Sequence, residues 1–112
     1  MQIREEKEDA VLVLTVSDAL DSVTAPEFEA RLLRHIDAGE RALLVDCSGV
    51  HYMNSAGLKA LLLAMKRLEA GGGRIVLCGL DSNVQMVFGL TGFDRLFVIK
   101  ADRAEARAAF ST

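Results

Sequence analysis

Two short runs of uninterrupted aliphatic residues, Ala42-Leu43-Leu44-Val45 and Ile75-Val76-Leu77, constrain this chain more than any other feature. Neither alternates apolar with polar positions, so neither is a strand with one wet face. A strand of this pattern is buried on both faces, as in a parallel sheet covered by helices. Between the two runs, residues 55–70 place Leu58, Leu61, Leu62, Met65 and Leu68 on one helical face. Strand, helix, strand in that order is the signature of a crossover unit.

The flanking sequence extends the pattern. Residues 11–16 are β-branched and aliphatic and read as a strand, with the polar run 5–9 turning back from a short first strand at 2–4. Residues 25–38 carry Phe28, Leu32 and Ile36 at helical spacing. Thr24 is placed to cap that helix, Pro26 suits its first turn, and Gly39 stops it. The strand 42–46 leads into a loop, 47–54. Gly71-Gly72-Gly73 ends the helix 55–70, and 74–78 is the next strand. A short helix after Asp81-Ser82 carries Val84, Val87, Phe88 and Leu90 and ends at Thr91-Gly92. A strand at 96–100 and a helix at 102–110 complete the order ββαβαβαβα. The expectation is an α/β fold: one domain over 1–112, with a mixed, mostly parallel sheet of about five strands, about four helices and one antiparallel edge. The length of 112 residues suits one domain, and a hydrophobic fraction of 51% can fill its core. Aromatic residues are only 5%, so that core should be aliphatic.

Several function classes find no support. The 13 Lys+Arg against 16 Asp+Glu give a net charge of −3, with no broad cationic surface for direct nucleic-acid binding. Residues 1–9 hold no apolar secretory core, and the longest aliphatic stretch, 60–65, is too short for membrane insertion. Both points favour the cytoplasm. Cys47 and Cys78 then read as small buried hydrophobes. The triple glycine runs from helix to strand, the wrong polarity for a phosphate-cradling loop. His35 and His51 have no partners at metal-ligand spacing. Ser55, His51 and Asp46 compose a triad on paper, but nothing resembles a nucleophile elbow. No catalytic residue, metal or cofactor is expected.

The loop 47–54 and the start of the next helix are more informative. In open α/β sheets, ligands and partners meet the protein beyond the carboxyl ends of strands. In the simplest reading, Asn54 or Ser55 caps the helix, worth about 1 kcal/mol. In the functional reading, Ser55 accepts a phosphoryl group. The free N–H groups and dipole of the helix stabilise the phosphate, and its charge of about −1.5 to −2 changes the surface. Gly57 would leave space near the hydroxyl for a kinase's nucleotide.

The segment Leu43-Leu44-Val45-Asp46-Cys47-Ser48-Gly49-Val50, followed by Met53-Asn54-Ser55-Ala56-Gly57-Leu58, resembles the central motif of STAS domains, the family of anti-sigma factor antagonists and sulfate-transporter C-terminal domains. Gly72-Gly73-Arg74-Ile75-Val76-Leu77-Cys78-Gly79 and Leu90-Thr91-Gly92-Phe93-Asp94-Arg95-Leu96-Phe97 resemble two further blocks in the same order. The lack of transporter helices is similar to the free-standing antagonist type. The resemblance implies a partner switch. Such antagonists bind an anti-sigma factor that is also a serine kinase of the histidine-kinase-like ATPase type. Phosphorylation of the loop serine abolishes binding, and a serine phosphatase restores it. Ser55 occupies the position of that serine. Asp21 and Thr24 match a loop that lies near the same partner surface.

Two positions depart from the family pattern: Asn54 stands where Asp is common, and Ala56 where Ser is frequent. Asn54 keeps the capping geometry but loses a carboxylate, and Ala56 leaves Ser55 as the one hydroxyl of the motif. On the helix stripe opposite the core face, Lys59 and Leu63 would extend the partner surface. Two other classes stay open. One is a STAS subunit or scaffold of a lipid-transport or signalling assembly that binds constitutively. The other is a small nucleotide-binding enzyme, which lacks a recognisable catalytic set.

Overall fold

The protein is described here by a computed structural model covering residues 1–111. The chain opens with a hairpin of β1 (Gln2–Glu8) and β2 (Val11–Leu20). It continues through α1 (Ala25–Asp37), β3 (Ala42–Met53), α2 (Ser55–Ala70), β4 (Arg74–Cys78), α3 (Ser82–Thr91), β5 (Val98–Lys100) and α4 (Arg103–Ala108). Short 3₁₀ turns at Phe93–Arg95 and Ala109–Ser111 flank the last strand and helix. The order is the one read from the sequence. The sheet runs β1-β2-β3-β4-β5, antiparallel at the first pair and parallel across the rest.

Both faces of the middle strands are indeed covered. Leu12, Leu14 and Val16 of β2, Leu43 and Val45 of β3, and Ile75 and Leu77 of β4 face one large core. Against them pack Phe28, Leu32 and Ile36 of α1, Leu58, Leu61, Met65 and Leu68 of α2, and Val84 and Phe88 of α3. The alternate residues Val11, Val13, Leu44, Val76 and Cys78 point to the other face, where Ala106 of α4 and Phe110 cover them. Adjacent residues of a strand face opposite sides, which is why the central runs have no polar position. Cys47 and Cys78 are free, buried and in separate clusters. Burial first, then nearby negative charge, pushes both thiols up to about 12.

Several boundaries differ from the sequence reading. β1 runs to Glu8, so the turn is at Asp9-Ala10 rather than across 5–9. β3 runs to Met53, so 47–53 is strand rather than loop. Leu62 is only partly buried, and Ala60 and Ala64 take the remaining core positions of α2. Leu90 points outward, 82% exposed. The last strand starts at Val98, after Phe97 has closed an aromatic cluster with Phe88 and Phe93 at centroid distances of 6.1 Å. The core is mainly aliphatic, yet its largest fully buried side chains are Phe28 and Phe88. Among the described residues no helix is long and apolar enough to cross a membrane.

A half-buried ion pair fixes α4 to the sheet. Asp46 Oδ1 accepts the Ser48 N–H at 3.0 Å. Its Oδ2 accepts from Arg103 Nη2 at 3.0 Å and Nε at 3.3 Å. Arg103 Nη2 also donates to Thr15 Oγ1 at 2.7 Å. Burial pushes the Asp46 carboxyl up, but the bonds from Ser48 and Arg103 outweigh it and hold the group below the usual carboxylate range. Asp46→Asn should lower the unfolding free energy at pH 7 by about 1–2 kcal/mol in urea titration, because Arg103 loses its hydrogen-bonded counter-charge and keeps only Glu8, at 3.9 Å. A depressed folded pKa contributes stability above the unfolded value of about 3.9, lost as pH falls through the folded value. The gap between wild type and variant should therefore hold at pH 5–7 and close below about pH 4. A gap unchanged at pH 2–3 would refute this account.

Candidate functional site

The carboxyl ends of β2 and β3 finish side by side. Leu20 pairs with Met53, and the Asn54 N–H donates to the Leu20 carbonyl at 3.2 Å. That pairing sets the β2–α1 turn beside the start of α2.

Asn54 is extended, with φ −113°, and its Oδ1 accepts the Ala56 N–H at 3.0 Å. Asn54 is therefore the cap, and Ser55 is the first helical residue. The Ser55 side chain is exposed, with no hydrogen-bond partner among the described residues, and the first turn of α2 carries no acid. The unneutralised N-terminus of a 16-residue helix thus lies at this hydroxyl. Lys59 is exposed one turn along.

Gly57 is buried rather than open to an approaching ligand. A Cβ there would stand 2.8 Å from the Leu20 carbonyl oxygen and 2.9 Å from Met53 Cγ. Its missing side chain lets α2 seat on the end of β2.

The Asp21 carboxylate accepts the N–H groups of Val23 at 3.0 Å and Thr24 at 3.1 Å. These bonds, Thr24 first, hold its pKa below the usual value. Thr24 does not cap α1 with its side chain. Its hydroxyl donates to the Ala19 carbonyl at 2.7 Å and accepts the Asp21 N–H at 3.0 Å. The turn uses both side chains to fix itself, and the Thr24 hydroxyl, turned back toward Ala19 and Asp21, bonds no N–H of the helix. Across it, a shallow groove of about 210 Å³ is lined by Ser22, Pro26 and Glu29 on one side and Ala56 and Lys59 on the other.

Asp21, Thr24, Asn54, Ser55, Ala56 and Lys59 thus share one end of the molecule. Leu63, 37% exposed, lies two turns along α2 from Ser55. Sequence reasoning missed Val23 and Tyr52, which are 83% and 55% exposed at the same end. Val23 carries no periodic signal, because it stands at the tip of the Asp21 turn. Tyr52 was hidden by reading its strand as a loop. The paper triad is dispersed: Asp46 binds Arg103, and His51 Nδ1 lies 3.2 Å from Asp81 Oδ2.

Comparison with known proteins decides the family, because the STAS domain model matches residues 2–106. The chain belongs to the STAS domain family. It is 36% identical over 112 residues to BtrV of Bordetella bronchiseptica, whose name ascribes an anti-sigma factor antagonist role, covering all of this chain and 97% of that one. It is 29% identical over 100 residues to an anti-sigma-B factor antagonist of Listeria monocytogenes, covering 89% of this chain and 87% of the relative. A crystal structure of an anti-sigma factor antagonist from Mycobacterium paratuberculosis superposes with a TM-score of 0.91 at 27% identity, covering 99% and 94% of the two chains. The five-stranded mixed sheet with its four helices is thus the fold of this STAS family.

Proposed function

We propose that this STAS domain is a cytoplasmic anti-sigma factor antagonist. It binds a cognate anti-sigma factor that is itself a serine kinase of the histidine-kinase-like ATPase type. That kinase switches it off by phosphorylating Ser55, and a serine phosphatase restores it. The observation that carries this reading is the Ser55 hydroxyl, exposed and unpartnered at the first position of α2. A phosphate there meets the helix dipole favourably, so the fold tolerates the modification while the surface charge changes by about −1.5 to −2. The fixed Asp21 turn, the groove between Pro26 and Lys59, and the exposed Val23, Tyr52 and Leu63 form the surface on which that charge would act.

The test is incubation of the full chain with its purified cognate kinase and ATP, read by intact mass and peptide mapping. One phosphoryl group on Ser55, absent from Ser55→Ala, is expected. Phosphate mapped to Ser48 or Ser82, or none at all, overturns the switch. In the same preparation, Leu63→Asp should weaken kinase binding. Unchanged affinity in a folded variant removes Leu63 from the surface.

A further inference from the structure

The sheet has two outer strands, and their edges are built differently. β1 carries charge at five of its seven residues, Arg4 to Glu8, which guards its edge against pairing with another chain. β5 reads Val98-Ile99-Lys100 and has a single charge, at its end. Its outer main chain is open. The Lys100 carbonyl accepts the Gly79 N–H at 3.3 Å, on the β4 side. Main-chain groups of successive strand residues point to alternate sides within the sheet plane, so the N–H and C=O of Ile99 point away from β4. Neither bonds a turn or loop among the described residues.

A cavity flanks this edge on each face. On the face of the large core, Leu80, Phe88 and Ile99 floor a cleft of about 280 Å³, whose polar lining is the exposed pair Gln85 and Asp94. Gln85 Nε2 donates to the Leu80 carbonyl at 2.8 Å, which leaves the amide oxygen as the free end. The Asp94 carboxylate forms no ion pair within 4.0 Å among the described residues. Its Oδ2 stands 3.9 Å from where a Cβ on Gly89 would lie, and Gly89 is one turn from Gln85 on the same stripe of α3. Carboxylate and amide therefore meet over one apolar floor, and Gly89 puts no side chain between them.

On the other face, Val98, Ala108 and Ala109 line a cavity of about 410 Å³ with Arg74, Lys100 and Glu105. Val98 and Ala109 pack on the α4 side of the sheet, and Lys100, two residues from Val98, shares its face. Arg74 joins them there, since Nη1 donates to the Ala109 carbonyl at 3.1 Å and the guanidinium lies 6.0 Å from the Phe110 ring centre. Two cations against one acid give this face the opposite sign to the Asp94 cleft.

An extended peptide that pairs with a sheet edge sends alternate side chains to opposite faces, and pockets on those faces select among them. The two cavities beside β5 select opposite charges. A basic side chain suits the cleft: its stem covers the apolar floor, and its head donates to Asp94 and the Gln85 oxygen. An acidic neighbour suits the face of Arg74 and Lys100. We propose that the open edge of β5 takes up an extended segment of a partner protein in which a basic residue adjoins an acidic one, the basic side chain lying in the Asp94 cleft and the acidic one facing Arg74 and Lys100. A three-residue edge offers few main-chain bonds, so the side chains carry the selectivity and the affinity is modest. The edge uses no residue of the Ser55 surface, so either reading can fail without the other.

The test is an amide NMR titration of the full chain with the capped peptide acetyl-Thr-Thr-Arg-Glu-Thr-Thr-amide. Saturable one-to-one binding with Kd below about 1 mM is expected. Shifts should gather at residues 85, 89, 94 and 97–101, and hydrogen exchange of the Ile99 N–H should slow. Asp94→Asn should weaken binding at least about fivefold, as should glutamine in place of the peptide's arginine, while Ser55→Ala leaves it unchanged. Asp94→Lys should restore binding to a peptide with glutamate in place of the arginine. Asp94 is exposed and outside every ion pair, so these variants should melt with wild type. No saturation by about 10 mM, undiminished binding in Asp94→Asn, unslowed exchange at Ile99, or shifts centred on residues 54–57 overturns the proposal. Shifts at 97–101 that follow protein concentration without peptide assign the edge to a second copy of this chain, and overturn it too.

Discussion

Ser55→Asp should bind the cognate kinase at least about tenfold more weakly than wild type, a loss of about 1.4 kcal/mol or more. The same substitution should leave the fold intact. Ser55 is exposed at the first position of α2, where the helix dipole favours a negative charge. The effect therefore falls on the interface and not on the scaffold. Ser55→Ala supplies the contrast: it should bind as wild type does and stay bound when ATP is added, since its methyl group accepts no phosphate. Surface plasmon resonance against the immobilised kinase, with and without ATP, separates the two variants. If Ser55→Asp matched wild type in affinity, a charge at this position would not be the switch.

Gly57→Ala should be the most damaging one-carbon change near the site. Alanine is the better helix former by about 1 kcal/mol, so in an isolated helix it would stabilise. Here its Cβ would lie 2.8 Å from the Leu20 carbonyl oxygen, closer than packed atoms allow, and the atom in the way is backbone. α2 must lift from the end of β2, at an over-packing cost of about 1–3 kcal/mol. For a domain of this size the melting temperature should fall by about 4–8 °C for each kcal/mol lost. Kinase affinity should fall too, because the Asp21 turn and Ser55 are held in register by the same contact. Thermal melting and the binding assay, run on one preparation, check both. An unchanged melting temperature would mean that the approach of α2 to Leu20 is not constrained.

The sequence made the architecture legible where burial is simple. Leu43-Leu44-Val45 and Ile75-Val76-Leu77 are covered on both faces, and their apolar runs say so directly. The second half of β3 was not legible, for a geometric reason. Its pairing with β2 shifts register between Thr15 and Ser17 and again between Ser17 and Ala19. The inward residues are then Val50 and Met53, three apart, and no period of two survives to be read. Ser48-Gly49 also mimics a turn. Leu90 misled in the opposite sense, since a leucine at core spacing on a short helix near the sheet's edge has little to pack against. At the site, the resemblance located Ser55 and Asp21. It could not locate Val23 or Tyr52, which depend on how two strand ends are aligned. It also gave Gly57 the wrong physical reason, because a glycine's neighbours are invisible along the chain.

The sheet order β1-β2-β3-β4-β5 is also the order of the chain. Each new strand therefore docks on the edge left by its immediate predecessor, and no strand has to wait for a partner from the far end. Only the β1–β2 closure is short, and each later one spans a whole helix crossover, but the sequential order still suits a chain that emerges from the ribosome amino end first. The exception is α4, whose Arg103 reaches back 57 residues to Asp46 and 88 to Thr15. Until that last helix arrives, Val13, Leu44 and Val76 have no cover on their side of the sheet. The growing chain would thus carry one greasy face until α4 had been translated, and that interval is when it most needs protection from its neighbours.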